Sequence, residues 1–247
     1  MARISYDDQT AAAFKAVREI RRDGLAHWRD AVRRHLGPGP GMTVADIGAG
    51  TGAFAAAFAD WFGVDVLAVE PSAAMRAWIP ARPDIQVFEG HVGDLPLPAD
   101  SVDGVWLSLV VHHVSDLAAA AREVRRVLRP GAPVLLRQGF SGRVDAVRTF
   151  PWEFFPEVAR MVTDTCPSVD EVCRAFATAG FRRDALEAVP ETLMSPAEFL
   201  DQLDAFRRAD TNIRRLSEEE FRRGRERLRH ATGTEPRTNQ LDLLVLR

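Results

Sequence analysis

The chain has 247 residues and a formal net charge of -3, with 46% apolar and 27% charged residues. A chain of this length buries about 70–75% of its unfolded surface, so its core needs no disulfide or metal. The near-neutral charge argues against a protein that mainly neutralises nucleic-acid phosphates, and we expect no nucleic-acid partner. The only two cysteines, Cys166 and Cys173, cannot form a disulfide framework, which favours a cytoplasmic location.

Membrane and metal partners are not expected either. No stretch approaches 18 uninterrupted apolar residues, so no transmembrane helix is predicted. Asp7 and Asp8 follow Met1 closely, and no apolar run lies behind basic residues, so no signal peptide is predicted. The histidines and cysteines lack the spacing of metal ligands. The sequence does not indicate an oligomeric state.

The first half of the chain changes its pattern at residue 43. Residues 5–36 have apolar positions three and four residues apart, which predicts helix with a break at Gly24 and an end at Gly37. Short apolar runs and helical stretches then alternate. The predicted strands are 43–47, 64–69, 85–89, 103–109 and 133–137, and the predicted helices are 53–62, 72–79 and 116–128. This alternation is typical of βαβ units in a parallel sheet covered on both faces.

After Gly139 the alternation stops. An aromatic-rich helix is predicted at 150–162, and Ser-x-x-Glu capping boxes at Ser168, Ser195 and Ser217 open three more helices. Residues 182–189 and 240–246 predict two further strands. The two helices between these strands, about 196–208 and 218–230, are expected to form a cap over the end of the sheet. Its apolar stripe of Phe199, Leu203 and Phe206 is expected to be exposed, as in a dimer interface.

A glycine-rich turn between the first predicted strand and helix is the most informative feature. Gly48, Gly50 and Gly52 would let the backbone turn tightly and let a ligand approach the main chain. Glu70 ends the next apolar run, where a carboxylate can accept hydrogen bonds from both ribose hydroxyls. Gly48, Gly50 and Ala53 also match the G-x-G-x-x-G/A fingerprint of dinucleotide-binding proteins. The same turn is therefore also consistent with an NAD(P)-dependent oxidoreductase, which stays open as one alternative function.

Five stretches carry a family resemblance. They are Asp46–Gly52, Val69–Met75, Leu95–Asp103, Leu109–Val114 and Leu128–Gly131. With these five stretches in this order, the chain resembles the class I S-adenosylmethionine-dependent methyltransferases. Among them it is similar to the type-11 group, which includes ubiquinone and menaquinone biosynthesis enzymes. The resemblance implies a Rossmann-like, seven-stranded mixed α/β sheet with the last strand antiparallel, helices on both faces and a helical lid. It also implies methyl transfer from S-adenosylmethionine to a small-molecule acceptor at O, N or C, with S-adenosylhomocysteine as product.

The resemblance also implies a set of cofactor-binding residues. Asp46 and the turn Gly48–Gly52 would contact the methionine portion, Glu70 the ribose, and Met75, His91 and Val92 the adenine. Ser108 at the end of the fourth strand belongs to the same expected set. Residues 14–18 resemble an N-terminal pattern whose arginine, Arg18, pairs with the cofactor carboxylate. The corresponding division of the chain is a lid segment at 1–41, a cofactor-binding core at 42–140, and 141–247, which completes the sheet and carries the cap at about 190–235.

His112 and His113 are the candidate catalytic residues. Holding nucleophile and methyl group in line supplies roughly 7–11 kcal/mol, but a phenol or ammonium acceptor also needs a base. Both histidines follow the fourth strand, at the sheet edge where open α/β folds bind ligands. Adjacent side chains are not expected to point the same way, and the sequence does not choose between them. A relative that binds the cofactor without transferring methyl stays open as a second alternative.

Overall fold

The computed structural model describes residues 11–12, 14–15, 22–143, 149–210, 212–231 and 233–247. The strands are β1 (Thr43–Ile47), β2 (Asp65–Val69), β3 (Ile85–Phe88), β4 (Gly104–Ser108), β5 (Val134–Gln138), β6 (Arg183–Thr192) and β7 (Thr238–Leu246). The helices are α1 (Ala26–Leu36), α2 (Ala53–Phe62), α3 (Ala73–Arg76), α4 (Leu117–Val127), α5 (Pro156–Thr165), α6 (Val169–Ala177), α7 (Pro196–Ala209) and α8 (Glu218–His230).

The strands form one seven-stranded sheet in the order β3-β2-β1-β4-β5-β7-β6. The strands from β3 to β5 pair in parallel, and β7 runs antiparallel to both β5 and β6. The order reverses at β1, whose two neighbours are β2 and β4, and a crevice at this switch point is where open α/β sheets bind ligands. The predicted Rossmann-like fold with an antiparallel last strand is confirmed.

Helices cover both faces because successive strand residues point to opposite sides of the sheet. Val105 and Leu107 of β4 belong to an apolar cluster with α4 and α6, whereas Trp106 between them belongs to a cluster with α1 and α2. Trp106 is 1% exposed and packs edge-on against Trp28 and Phe58. The sheet therefore has a buried core on each side, and only its strand ends are free to build a site.

Local signals fix most element ends. The three predicted capping boxes are all formed, at Ser168, Ser195 and Ser217. Gly37 ends α1 in the left-handed conformation. The predicted helix 72–79 is wrong in length, because α3 ends at Arg76. Ile79 precedes Pro80, and a residue before proline is disfavoured in the helical conformation.

The cap shares an apolar core with the aromatic segment before α5 and with α5 itself. Helices α5, α7 and α8 pack around Phe155, Phe199, Leu203, Phe206 and Phe221. The expectation that Phe199, Leu203 and Phe206 are exposed is wrong, since their exposed fractions are 1%, 1% and 6%. They pack against the aromatic segment before α5, so this stripe is not a free dimer surface. None of the helices within the described ranges is long and apolar enough to cross a membrane.

The outer face of α8 carries charged side chains that pair with one another within the helix. Arg222 and Arg223 pair with Glu219, and Arg229 pairs with Glu226, all within the helix. Such exposed pairs contribute only about 0.3–0.5 kcal/mol each. Ion pairs of this kind within one helix are typical of a face that stays in contact with solvent.

Gly224 in α8 is a point of close contact with the cap core. A Cβ at this position would lie 2.1 Å from the ring of Phe155, which stacks on Phe221. We expect Gly224→Ala to lower the free energy of unfolding by about 1–3 kcal/mol through overpacking, although alanine is the better helix former. Denaturant unfolding of a Phe155→Ala background should show a smaller cost for the same change. An equal cost in both backgrounds would contradict the contact.

Candidate functional site

A cavity of about 2120 Å³ opens at the carboxyl ends of the parallel strands. One part of its lining comes from the loops that follow β1, β2 and β4, and the other part comes from the cap. The volume exceeds the usual range of about 300–1,000 Å³ for a single small-molecule site. The cavity therefore has room for two ligands side by side.

The glycine-rich turn after β1 forms the floor of the first part. The Gly48 and Ala49 N–H groups donate to the Val69 carbonyl of β2 at 2.7 and 3.1 Å, which ties the turn to the neighbouring strand. Gly48 has φ 73°, and a Cβ there would lie 2.5 Å from Val110. Gly50 has φ 57° and nothing within 4 Å of a Cβ position, so its backbone faces open space. A ligand can approach the main chain at Gly50.

Glu70 lies beside this turn and is 7% exposed. Its two carboxylate oxygens accept hydrogen bonds from the backbone N–H groups of Gly50 and Ser72, each at 2.9 Å. Burial raises the pKa of the Glu70 carboxyl, while those two N–H groups and Arg76 act in the opposite direction. Each oxygen has a second lone pair, so the carboxylate can accept bonds from ligand hydroxyls without releasing the turn.

Asp46, at the end of β1, is 2% exposed and lines the same cavity. Burial, together with the nearby charge of Glu70, raises the pKa of Asp46 to about 7, although the Ala55 backbone N–H donates to its carboxyl group. Its Oδ2 atom has no hydrogen-bond partner in the described part of the chain. Two buried carboxyls beside each other favour a ligand that brings positive charge and hydrogen-bond donors. The two carboxylates, which accept hydrogen bonds, therefore fit a cationic ligand with a diol.

The three residues expected at an adenine ring all line the cavity near Glu70. Met75 and Val92 are buried, at 2% and 8% exposed. His91 is exposed, and its Nδ1 accepts a hydrogen bond from the Gly93 N–H at 3.1 Å. Met75 and Val92 supply apolar surface, and the His91 side chain is held at the rim by its own loop.

Ser108, another residue expected to bind the cofactor, contacts a buried charge pair. It lies at the end of β4 and lines the cavity, and its Oγ accepts a hydrogen bond from Arg137 at 3.0 Å. Arg137 also forms a buried ion pair with Glu191 of β6, which accepts a bond from the Trp28 indole at 3.2 Å. No motif of the sequence points to Arg137, Glu191 or Trp28. The one available signal is that Arg137 and Gln138 follow the three apolar residues that begin β5.

His112 and His113 both line the cavity, so the expectation that adjacent side chains diverge is wrong. They lie in one turn of 3₁₀ helix at Val111–His113, and their ring centroids are 3.9 Å apart. The tight turn brings both rings to the same side of the backbone. The Nδ1 atom of His112 lies 3.2 Å from the Oε1 atom of Gln138, at the end of β5.

The second part of the cavity has an aromatic wall. Phe150, Trp152, Phe199 and Phe206 all line it. The rings of Phe150 and Phe199 are 5.2 Å apart, and those of Phe199 and Phe206 are 4.9 Å apart. Cys166 also lines the cavity. The wall faces the same space as the two histidines and suits a ligand with an apolar body.

Two further questions concern Arg18 and possible metal ligands. Arg18 lies outside the described residues, whereas Phe14, which precedes it, lines the cavity. Phe14 is therefore part of the cavity lining. Within the described ranges no three histidine, cysteine or acidic side chains are grouped as metal ligands would be.

The comparisons with known proteins agree with this fold. Residues 45–136 match the family model described as a methyltransferase domain. A demethylmenaquinone methyltransferase of Renibacterium salmoninarum is 33% identical over 150 residues, covering 56% of this chain and 63% of the relative. The ubiquinone/menaquinone biosynthesis C-methyltransferase UbiE of a Caulobacter species is 33% identical over 142 residues, covering 52% and 56%. The chain thus aligns with less than two thirds of these curated relatives.

Solved structures match more of the chain at lower identity. A putative methyltransferase from an antibiotic biosynthesis pathway of Anabaena variabilis has a TM-score of 0.72 at 23% identity, covering 89% of this chain and 96% of its own. The [4+2]-cyclase SpnF has a TM-score of 0.60 at 16% identity, covering 89% and 79%. These likenesses show the fold. Residues 45–136 match a methyltransferase domain, and the resemblance found in the sequence is confirmed over that stretch.

The raised pKa of Asp46 predicts a pH-dependent effect of one substitution. Because its folded pKa of about 7 lies above the ordinary value of 3.8, its contribution to stability is full below that value and is lost as pH rises towards 7. Asparagine does not ionise, so the Asp46→Asn variant does not lose this stability as pH rises. Its free energy of unfolding relative to the unsubstituted protein should therefore rise by about 2–4 kcal/mol between pH 4 and pH 8.

Denaturant unfolding at several pH values measures this difference. An Asp65→Asn variant serves as the control, because Asp65 lies on the adjacent strand and is exposed. Its stability relative to the unsubstituted protein should change little over the same range. A difference for Asp46→Asn that stays constant with pH would contradict the assignment.

Proposed function

We propose that this protein transfers a methyl group from S-adenosylmethionine to a small-molecule acceptor. The observation that carries the proposal is the pairing of the open backbone at Gly50 with the buried Glu70 carboxylate, inside a methyltransferase-type domain. The solved geranyl diphosphate methyltransferases, which share the fold at 18–20% identity, include complexes with S-adenosylmethionine and S-adenosylhomocysteine. The same cofactor fits the carboxylates of this cavity.

The proposed roles follow from what each residue can offer. Glu70 accepts hydrogen bonds from the ribose hydroxyls, Asp46 and the glycine turn bind the methionine portion, and Met75 with Val92 packs on the adenine. The cofactor supplies an electrophilic methyl carbon on a positively charged sulfur. Asp46 and Glu70 compensate positive charge, and their burial makes this attraction stronger than in bulk water. Ser108 contributes through Arg137, and Arg18 stays a prediction.

The acceptor is proposed to bind between the aromatic wall and the two histidines. Aromatic side chains bury large apolar areas, so an acceptor with an apolar body gains affinity there. The curated relatives are named for quinone substrates, and a quinone-like ring suits the same wall. His112 or His113 serves as the base that removes a proton from the acceptor. The N-terminal segment 1–41 and the cap at about 190–235 are proposed to act together as a lid over both ligands.

The oxidoreductase alternative fits the fold less well. Dinucleotide-binding folds commonly have six parallel strands in the order 3-2-1-4-5-6. Here the antiparallel strand β7 lies between β5 and β6. This insertion changes the sheet edge next to β5, where the second half of a dinucleotide would bind.

A cytoplasmic location and the absence of a nucleic-acid partner stay predictions from the sequence.

The first test is titration calorimetry with S-adenosylhomocysteine, with NAD in parallel. We expect micromolar binding of S-adenosylhomocysteine and none of NAD. The Glu70→Gln variant should bind S-adenosylhomocysteine about 10- to 100-fold more weakly, since each charge-assisted hydrogen bond contributes about 1.5–3 kcal/mol.

Glu89→Gln is the matched control for this titration. Glu89 follows the neighbouring strand β3, is paired with Arg76 on the surface and does not line the cavity. Its affinity should stay within about twofold of the unsubstituted protein, since surface pairs contribute little. Binding of NAD alone would overturn the proposal. Tight binding of the cofactor without methyl transfer to any acceptor of a broad panel would favour a non-methylating relative.

The pKa of Asp46 predicts that cofactor binding depends on pH. S-Adenosylhomocysteine has a neutral sulfur but keeps the positively charged amino group of its methionine portion. That charge favours the ionised carboxylate, so binding competes with the proton that Asp46 holds below about pH 7. Between pH 7 and pH 5.5 the affinity for S-adenosylhomocysteine should fall about tenfold. In the Asp46→Asn variant the affinity should be lower at pH 7 and should change little over the same interval. A parallel fall in both proteins would exclude Asp46 as the group responsible.

A further inference from the structure

Two histidines face the acceptor part of the cavity, and one of them has a buried partner. Gln138 ends β5 and is 1% exposed. Its Oε1 atom lies 3.2 Å from the Nδ1 atom of His112, which follows the neighbouring strand β4. The two side chains therefore meet because parallel strands place their carboxyl ends at one edge of the sheet.

The surroundings of Gln138 fix the orientation of its amide. Its nitrogen lies 3.3 Å from the carbonyl oxygen of Gly139 and 3.7 Å from the sulfur of Cys166. A carbonyl oxygen can only accept a hydrogen bond, so the group facing it is the amide NH₂. The amide oxygen consequently faces His112.

This orientation determines which nitrogen of His112 carries its proton. An amide oxygen only accepts, so Nδ1 of His112 carries the hydrogen and donates it to Gln138. In the neutral ring the lone pair then lies on Nε2. When Nε2 takes up a proton, the bond from Nδ1 to Gln138 stays in place, and neither side chain has to rotate.

The geometry points to Gln138 as a positioning residue that makes Nε2 of His112 the proton acceptor of the reaction. This inference rests on the proposed function and chooses between its two histidines. It also narrows the acceptor to one whose reacting O–H, N–H or activated C–H must lose a proton. A thiolate acceptor, already ionised, would have no use for this arrangement.

The step balances with these groups alone. The acceptor atom forms a bond to the methyl carbon while the carbon–sulfur bond breaks, and the sulfur keeps the electron pair of that bond. The acceptor's proton goes to Nε2 of His112. S-Adenosylhomocysteine leaves with a neutral sulfur, and the positive charge lost at sulfur now resides on the imidazolium. That imidazolium donates from Nδ1 to the Gln138 oxygen, which holds the ring in place.

The test observes the tautomer of His112 directly. Protein labelled with ¹⁵N in its six histidines is studied by long-range ¹H–¹⁵N correlation spectra at a pH where the rings are neutral. His112→Gln and His113→Gln variants assign the two signals. We expect His112 to show the pattern of the Nδ1–H tautomer in the unsubstituted protein.

Two variants at position 138 separate positioning from general structural support. Gln138→Leu removes the acceptor, and the Nδ1–H pattern of His112 should be lost. Gln138→Glu keeps an oxygen opposite Nδ1, and the pattern should be retained. An Nε2–H pattern in the unsubstituted protein, or an Nδ1–H pattern that survives in Gln138→Leu, would overturn the inference.

The same samples distinguish failure of this inference from failure of the proposed function. Titration with S-adenosylhomocysteine reports on the Asp46 and Glu70 side of the cavity, whereas the spectra report on His112 without any cofactor. Absence of cofactor binding would overturn methyl transfer. The wrong tautomer, with cofactor binding intact, would overturn only the role of Gln138. Melting temperatures of the three proteins identify a variant that fails to fold, and Gln138→Glu then still tests the inference.

Discussion

Two carboxyl groups are buried next to each other at the carboxyl ends of β1 and β2, and much of the site depends on how the chain stabilises them. Glu70 accepts hydrogen bonds from Gly50 and Ser72, so the carboxylate that would hold a ligand also holds the glycine turn. Asp46 has one oxygen without a partner in the described residues, and its pKa is raised to about 7. Burying charge in this way costs free energy, and a cationic ligand that pairs with the carboxylates would offset this cost.

A second buried charge pair joins the other elements around the cavity. Arg137 of β5 pairs with Glu191 of β6 and donates to Ser108 of β4, and Trp28 of α1 donates to Glu191. The guanidinium also lies over the rings of Trp28 and Phe54. Removing one partner of such a pair would leave an uncompensated charge, which typically costs about 3–5 kcal/mol. The pair thus fixes the ends of three strands and the helix before them.

The cap and the sheet divide the work of the cavity. The sheet edge carries the groups with charge and protons, namely Asp46, Glu70 and His112. The cap and the aromatic segment before α5 supply apolar surface through Phe199, Phe150 and neighbouring rings, and their shared core keeps that wall in place. A site of this kind can change its acceptor by changing the cap while the cofactor side stays the same, which is how one fold hosts many functions.

The sequence by itself determined the features that depend on neighbours along the chain. The periodicity of apolar residues placed the strands and helices, and three capping boxes placed helix starts. The spacing of Gly48, Gly50 and Glu70 predicted a glycine turn beside a carboxylate, which the structure brings together. Only the tertiary structure decided contacts between distant segments. Trp28 meets Glu191 across 163 positions, and His112 meets Gln138 because β4 and β5 are adjacent. The burial of Phe199 likewise depends on the aromatic segment before α5. Such contacts follow from strand order and packing, and no local pattern encodes them.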